Sequence, residues 1–214
     1  MRYRLFGGGA LAASALLLAG TVAADQAVQS DRPSWRSPAG EVARGQGLAQ
    51  ACLACHGENP TAAAGLDRPP PKLFRQRASY LFFALREYRD GTRKHAVMQG
   101  FAQGLSDQDM RDIAAYFGRN LPDKPPKPDP GKPIYETTSR ECGFCHGETG
   151  IGEFEGIPVL AGQERDYLMR ALEDYRSGKR GDPTMRAELK RIAPEKDAAL
   201  ADYYAGYQWL EHKE

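Results

Sequence analysis

A seven-residue motif, Cys-x-x-Cys-His-Gly-Glu, occurs twice in this chain of 214 residues, within ACLACHGE at 51–58 and within ECGFCHGE at 141–148. His56 and His146 follow the second cysteine of each copy. The two copies also contain every cysteine of the chain: Cys52, Cys55, Cys142 and Cys145. The fold must therefore build two similar sites from cysteine and histidine.

Paired cysteines have four common uses, and the histidine after each pair separates them. Two disulfides are ordinary in an exported protein, but a disulfide has no use for the histidine. A thioredoxin-like dithiol follows a strand in a βαβ pattern, which is not evident here, and one zinc site would have to close over the 86 residues between Cys55 and Cys142. Cys-x-x-Cys-His attaches haem c through two thioethers and an axial imidazole. We therefore expect two covalently bound haem c groups, with His56 and His146 as axial iron ligands.

An internal repeat surrounds the two motifs. Residues 80–105 and 167–192 align without a gap at an offset of 87, whereas the motifs themselves are offset by 90. A proline-rich segment at 122–133 separates the copies, and we expect an extended linker there because proline cannot sit within a packed helix or donate to a sheet. The sequence thus predicts an N-terminal domain at 38–121 and a C-terminal domain at 134–210.

Helical periodicity dominates both copies, and no alternating strand pattern is convincing. We expect Ser79 to cap a helix that ends near Gly91, and a matching helix in the second copy to end near Gly178. Ser106, with Asp109 three residues later, is close to a capping box. The helix that it opens carries one apolar stripe: Met110, Ile113, Ala114 and Phe117. The pattern predicts an all-α protein.

The repeat also selects a second axial ligand for each iron. Of the five methionines, only Met98 and Met185 match each other in the repeat. A ligand that is needed twice should occur twice, so we expect these two methionines to ligate the irons from a loop between helices. His95 is the rival ligand in the first copy, but Asp182 occupies its place in the second. A thioether ligand favours ferrous iron and fills the sixth position, which leaves no open site for a substrate.

These features together resemble class I cytochrome c. They include the motif after a short helix, a Pro-x-Leu segment (PKL at 71–73, PVL at 158–160), a methionine further on, and the closing sequence LSDQDMRDIAAYF. Two such units in tandem resemble the dihaem cytochrome c4 type, which implies two tandem class I cytochrome c domains. The resemblance also implies that Pro71 and Pro158 offer a carbonyl to the ligating histidines. Four further residues are candidates for binding the haem propionates: Tyr88, Arg89, Tyr175 and Arg176.

Residues 1–24 predict an export signal. Arg2 and Arg4 precede an apolar run of small residues, and the segment Val22–Ala24 fits a cleavage site. Retention of this segment as an N-terminal anchor is the alternative. Because the cytochromes that the chain resembles are periplasmic electron carriers, we expect a periplasmic protein after cleavage of the signal peptide.

Electron transfer between protein partners is the function that these features favour. Nucleic acid is not expected as a partner, because the formal charge is +1 and no basic run is present. The resemblance implies a donor dehydrogenase or cytochrome complex and an acceptor oxidase, with loose membrane association only through such partners. A dihaem cytochrome subunit of a larger dehydrogenase is the alternative function. A dihaem peroxidase is disfavoured, since it needs a haem with an open position.

Charge differs between the two halves of the chain. Residues 38–121 hold 11 Lys and Arg against 8 Asp and Glu, whereas residues 131–214 hold 12 against 16. We therefore hypothesise that each half docks a different partner. The basic docking face would be formed by Arg68, Lys72, Arg75 and Arg77. The acidic docking face would be formed by Glu148, Glu153 and Glu155.

Overall fold

Helices form most of the regular structure in the computed structural model, which describes residues 40–57, 69–119, 121, 127–128 and 139–208. The first half contains α1 (Val42–Leu48), α2 (Gln50–His56), α3 (Ala78–Arg89), α4 (Ala96–Gln103) and α5 (Asp107–Gly118). The second half contains α6 (Ser139–His146), α7 (Arg165–Arg176), α8 (Pro183–Leu189), a 3-10 turn (Pro194–Lys196) and α9 (Asp197–Ala205). One short antiparallel ladder pairs β1 (Lys127–Pro128) with β2 (Tyr207–Gln208).

Two sequence predictions fall largely outside these ranges. The predicted signal peptide, residues 1–24, lies entirely outside the described residues, and of the predicted linker at 122–133 only the strand residues 127–128 are described. None of the helices described here is both long enough and apolar enough to span a bilayer.

The predicted helix ends are confirmed in both halves. Gly91 and Gly178 follow the ends of α3 and α7 with φ of 74° and 79°, a left-handed conformation that glycine adopts without strain. The capping box at the start of α5 is also present. The Asp109 amide donates to Ser106 Oγ at 3.1 Å, and the Ser106 amide donates to the Asp109 carboxylate at 2.9 Å.

The prediction for Ser79 is wrong. Helix α3 begins at Ala78, so Ser79 lies inside its first turn and is buried. Its hydroxyl donates to Glu155 Oε2 at 2.8 Å and accepts from the Gly156 amide at 3.0 Å. The serine therefore joins the first half to the second instead of capping its own helix.

The core of the first half forms where α1 and α3 pack on α5. The predicted apolar stripe of α5 is fully or almost fully buried, from Met110 to Phe117. Helix α1 crosses α5 at very close range through Gly45, because a Cβ at this position would lie only 1.9 Å from the carbonyl oxygen of Asp112. Glycine at position 45 is thus a steric requirement of the helix crossing.

A buried carboxylate, that of Asp112, stabilises the same crossing of α1 and α5. Asp112 Oδ1 accepts from the Glu41 amide and from Gln108 Nε2, both at 2.8 Å, and Arg44 pairs with Oδ2. Burial alone would raise the pKa of Asp112, but the Glu41 amide, Gln108 and Arg44 outweigh it and hold the pKa below its usual range. The charged form of Asp112 therefore stabilises the fold.

The free energy of unfolding should consequently fall in acid. A folded-state pKa below the unfolded value means that stability is fully present above about pH 4 and is lost as the pH falls through the folded pKa. We expect urea midpoints measured from pH 7 to pH 3 to decrease, and the decrease to be smaller in Asp112→Asn. An equally steep decrease in the variant would show that Asp112 does not contribute to the acid sensitivity.

The two halves pack together through residues at matching positions of the repeat. Arg93 and Arg180, which are 87 residues apart, form an antiparallel β-bridge, and the Lys94 amide donates to the Lys179 carbonyl at 2.9 Å. A position that pairs with its own repeat partner lies on the two-fold axis of the repeat. The halves are therefore related by an approximate two-fold axis that passes beside Arg93 and Arg180.

Two buried glutamines repeat the same symmetry. Gln76 bonds to the amide and carbonyl of Val159 at 2.8 and 3.0 Å, and Gln163 bonds to those of Lys72 at 2.8 and 2.9 Å. The offset is again 87 for both members of each contact. Each glutamine side chain therefore bonds to both the amide and the carbonyl of one residue in the opposite half, as a neighbouring β-strand would.

Candidate functional site

Each cysteine pair lies on the short helix that ends at the motif histidine. Cys52 and Cys55 lie on α2, and Cys142 and Cys145 on α6, so the two thiols of a pair are one helical turn apart on the same face. All four thiols are free, so neither pair forms a disulfide. Burial raises the pKa of Cys52, and burial together with Glu141 raises that of Cys142 to about 11.

A zinc site does not form from these residues. Among the described parts of the chain, no group of three or more histidine, cysteine, aspartate and glutamate side chains comes together in a way that could hold a metal ion. The two thiol pairs therefore constitute separate sites, one in each half.

The histidines of the two motifs are oriented by backbone carbonyls. His56 Nδ1 lies 2.8 Å from the Pro71 carbonyl oxygen, and His146 Nδ1 lies 3.0 Å from that of Pro158. Because a carbonyl can only accept, Nδ1 carries the proton and Nε2 keeps its lone pair. Burial lowers the pKa of both histidines despite these hydrogen bonds, so both rings are neutral at pH 7. A neutral ring with a free Nε2 is the form that ligates a metal.

Local backbone geometry sets the position of each ring. Helices α2 and α6 stop at the histidine because the next residue, Gly57 or Gly147, has φ of 51° or 74°. At position 147 a Cβ would also lie 2.3 Å from the Ile151 carbonyl oxygen. The glycine of each motif thus turns the chain away and leaves the imidazole at the helix end.

The two matched methionines lie on helices and not on loops, which corrects the sequence prediction. Met98 is in α4 and Met185 in α8, and both side chains are half-buried. His95 Nδ1 accepts from the Met98 amide at 3.3 Å, and Asp182 Oδ1 accepts from the Met185 amide at 2.8 Å. His95, the rival ligand, therefore caps α4, as Asp182 caps α8.

The two cap residues, His95 and Asp182, also affect the pKa values of the motif histidines. The pKa of His56 is lowered first by burial and in part by the charge of His95, and the pKa of His146 responds in part to Asp182. Each cap residue is therefore within electrostatic reach of the motif histidine of its own half.

The four candidates for binding propionates have partners within the protein. Arg89 donates to Asp107 at 2.7 Å, and Arg176 forms two hydrogen bonds with Asp197 at 2.7 and 3.0 Å. In each half the arginine thus ties the long helix to the closing helix. Tyr88 and Tyr175 lie beneath the guanidinium groups of Arg93 and Arg180, at 4.7 and 5.3 Å from ring centroid to Cζ. Propionate binding by the four residues remains a prediction.

Sequence reasoning missed the polar residues at the contact between halves. Gln76, Gln163, Arg93 and Arg180 are all buried, and none belongs to an apolar stripe or a known motif. The sequence did contain one indication of this contact: Gln76 matches Gln163, and Arg93 matches Arg180, at the offset of 87. Polar residues that recur at matching positions were therefore the clue to the contact.

The predicted basic and acidic docking faces are contradicted at one pair of residues, because Arg77 of the first lies beside Glu155 of the second. Arg68 of the basic face lies outside the described residues. Arg77 donates to the Gly152 carbonyl and lies 3.6 Å from Glu155, a residue of the proposed acidic face. Lys72 pairs with Glu164 at 3.2 Å across the same contact. Arg77, Glu155 and Lys72 therefore form ion pairs between the two halves, which the sequence prediction did not foresee.

Comparison with known proteins places this geometry in a family. The Cytochrome c family model matches residues 42–118. The cytochrome c4 of Pseudomonas aeruginosa is 34% identical over 183 residues, which are 78% of this chain and 89% of that protein. The thiosulfate dehydrogenase electron acceptor of Thiomonas intermedia is 31% identical over 189 residues, 80% of this chain and 84% of that protein. The crystal structure of reduced cytochrome c4 from Pseudomonas stutzeri superposes with a TM-score of 0.61 at 30% identity, covering 79% of this chain and 100% of that one.

The fold and the paired sites define an all-α protein that attaches haem c covalently and serves electron transfer. The chain belongs to the cytochrome c family, and its relatives over most of its length include cytochromes c4. The predicted fold class, two tandem class I cytochrome c domains related by an internal repeat, is confirmed.

Proposed function

We propose that the chain is an exported dihaem cytochrome that carries electrons between redox proteins through two His/Met-ligated haems. The observation that carries the proposal is the matched pair of sites in the two halves. Each site has two free thiols one helical turn apart and a neutral histidine held by a proline carbonyl. Cys52, Cys55, Cys142 and Cys145 would form the thioethers, and His56 and His146 would ligate the irons.

The chemistry of the donor set fits haem c at both sites. Thiols a turn apart can each add to one vinyl group of the same porphyrin, and a free Nε2 can ligate its iron. When bound, the haem supplies one-electron exchange at its iron. The protein would supply the ligands and fixes each imidazole through the carbonyl of Pro71 or Pro158.

Met98 and Met185 are the proposed sixth ligands. Each lies three residues after a cap residue whose charge affects the pKa of the motif histidine in the same half, which supports a helix start near the site. Both are half-buried, and they match in the repeat. Ligation of both irons by sulfur would leave no open position, which supports a carrier over a peroxidase.

The protein partners are proposed from the relatives. One relative is named as an electron acceptor of thiosulfate dehydrogenase, which supports a dehydrogenase as the electron donor to this chain. The same observation favours the alternative function, a cytochrome subunit that stays bound to its dehydrogenase. An oxidase is the proposed acceptor, and the periplasm the proposed compartment, reached through the signal peptide at residues 1–24.

The haem count tests this proposal. Protein exported by a host that matures c-type cytochromes should retain the mass of two haem groups after denaturation, because thioether bonds survive unfolding. Cys52→Ala/Cys55→Ala and Cys142→Ala/Cys145→Ala should each retain one. Phe144→Ala serves as the matched control, since Phe144 lies between Cys142 and Cys145, is exposed, and should leave both haems in place. A wild-type mass equal to the polypeptide alone would refute the proposal.

A further inference from the structure

One buried hydroxyl in the second half has no hydrogen-bond partner. Tyr204 lies on α9 with 3% of its surface exposed, and its Oη atom makes no hydrogen bond within the described part of the chain. A buried polar group normally has a partner, because burial removes the water that would otherwise satisfy it. The hydroxyl therefore requires an acceptor that the described residues do not supply.

The ring of Tyr204 is confined by its neighbours. The Gly162 amide donates to the Tyr204 carbonyl at 2.8 Å, and the ring meets that of Tyr203 edge to face with 5.0 Å between centroids. Gly150 packs directly against the ring, since a Cβ at this glycine would lie 2.9 Å from Tyr204 Cδ1. An acceptor must therefore come to the hydroxyl where it lies.

The hydroxyl lies beside the cysteine pair of the second half. Tyr204 forms a core cluster with Leu168 and Ala201, and Cys142 packs against this cluster. Burial raises the pKa of Tyr204, and the charge of the Cys142 thiolate raises it further, so the two groups are within electrostatic reach of each other. Because burial is the larger cause, the phenol keeps its proton at pH 7 and can donate a hydrogen bond.

The first half contains the same cluster without the hydroxyl. Phe117 matches Tyr204 at the offset of 87, and Cys52 packs against the cluster of Phe117 as Cys142 packs against that of Tyr204. The ring of Phe117 meets its neighbour Tyr116 edge to face at 5.1 Å, as Tyr204 meets Tyr203. The other two cluster residues match without change: Leu168 with Leu81 and Ala201 with Ala114. At these positions the two clusters differ by one oxygen atom.

We propose that the Tyr204 hydroxyl donates a hydrogen bond to the haem c attached at Cys142, and that it thereby raises the midpoint potential of this haem alone. The inference rests on the proposed function, since the haem group is the acceptor. A donor places its partial positive charge beside the haem, which favours the electron-rich ferrous state. Phe117 offers no such group, so the two midpoint potentials separate although the proposed axial ligands are the same.

Redox titration of the holoprotein tests the proposal. Tyr204→Phe removes only the hydroxyl and should lower one midpoint potential, so that the ratio of reduced to oxidised haem at a fixed ambient potential falls several-fold at one haem and stays unchanged at the other. Phe117→Tyr adds a hydroxyl at the matching position and should raise the other midpoint potential. Tyr203→Phe is the matched control, because the Tyr203 hydroxyl already donates to the Glu148 carbonyl at 2.7 Å, and its removal should leave both potentials unchanged.

Chemical unfolding of the same holoproteins gives a second measurement. A hydroxyl that has an acceptor stabilises the fold, so its loss in Tyr204→Phe should lower the urea midpoint. Loss of a hydroxyl without an acceptor should raise the urea midpoint instead, and that result would contradict the inference.

Two results of the redox titration would overturn the inference. One is that Tyr204→Phe leaves both potentials unchanged, which would mean that the acceptor is not the haem. The other is an equal shift at both haems, which would mean that the hydroxyl does not act on one site. The haem count by mass is measured on the same samples, so absence of haem would refute the proposed function, whereas two haems with unchanged potentials would refute only the role of Tyr204.

Discussion

Met98→Leu and Met185→Leu are each expected to abolish the ferric methionine–iron charge-transfer absorption of one haem and to lower that haem's midpoint potential. Leucine keeps the volume of the side chain but removes the sulfur, so the iron would lose the proposed soft ligand, which favours the ferrous state. The axial ligands are a main determinant of haem midpoint potentials, which span about 0.8 V among haem proteins. Absorbance at the charge-transfer band and a redox titration of each variant give the two readouts.

Met169→Leu provides the control for this prediction. Met169 is half-buried in the core beside α9, and the repeat places Phe82 at its matching position, so no second methionine corresponds to it. Its replacement should leave the absorption band and both potentials unchanged. Retention of the full band in both Met98→Leu and Met185→Leu would show that other residues complete the coordination.

Gly45→Ala should destabilise the protein more than any other single methyl group added to α1. A Cβ at this position would lie 1.9 Å from the Asp112 carbonyl oxygen and 3.0 Å from the Tyr116 Cβ, so α1 must move away from α5. We expect the free energy of unfolding to fall by about 3 kcal/mol, the upper part of the range for overpacking a core. The midpoint of chemical unfolding, followed by helical circular dichroism, measures the effect.

Gly47→Ala is the matched control in the same helix. No atom lies within 4 Å of a Cβ at position 47, so the methyl group meets no obstacle. Alanine is a better helix former than glycine, and we expect stability to rise by about 1 kcal/mol. If Gly45→Ala and Gly47→Ala both raised stability, the close crossing of α1 and α5 would not exist in solution.

Local sequence patterns predicted the helical elements well because they depend on neighbouring residues. The capping box at Ser106, the apolar stripe of α5 and the glycines after α3 and α7 each involve residues within one or two turns. Ser79 was misassigned for the opposite reason. Its hydroxyl is used by Glu155, which lies 76 residues away, and no helical propensity contains that information.

Some residues of the candidate site could likewise be predicted from the sequence, and others could not. The cysteines and histidines belong to motifs with fixed spacing, so their placement could be expected from the sequence. The roles of the Pro71 and Pro158 carbonyls followed from the resemblance to class I cytochrome c, because the distance along the chain from histidine to proline differs between the copies. Charge counting could not show which charges pair with each other, since it assumed that each half presents its charges to solvent. Arg77 and Glu155 instead neutralise each other across the contact between halves, which only the packed structure reveals.

The symmetric glutamine contacts have a consequence for how the molecule stays assembled. Gln76 and Gln163 use the same side chain against the same backbone position of the opposite half, so the contact surface is self-complementary. Two separate copies of such a unit would pair only at sufficient concentration, whereas copies joined in one chain pair intramolecularly. Covalent linkage thus makes the pairing of the two halves independent of dilution, so the contact between them persists when the protein is scarce.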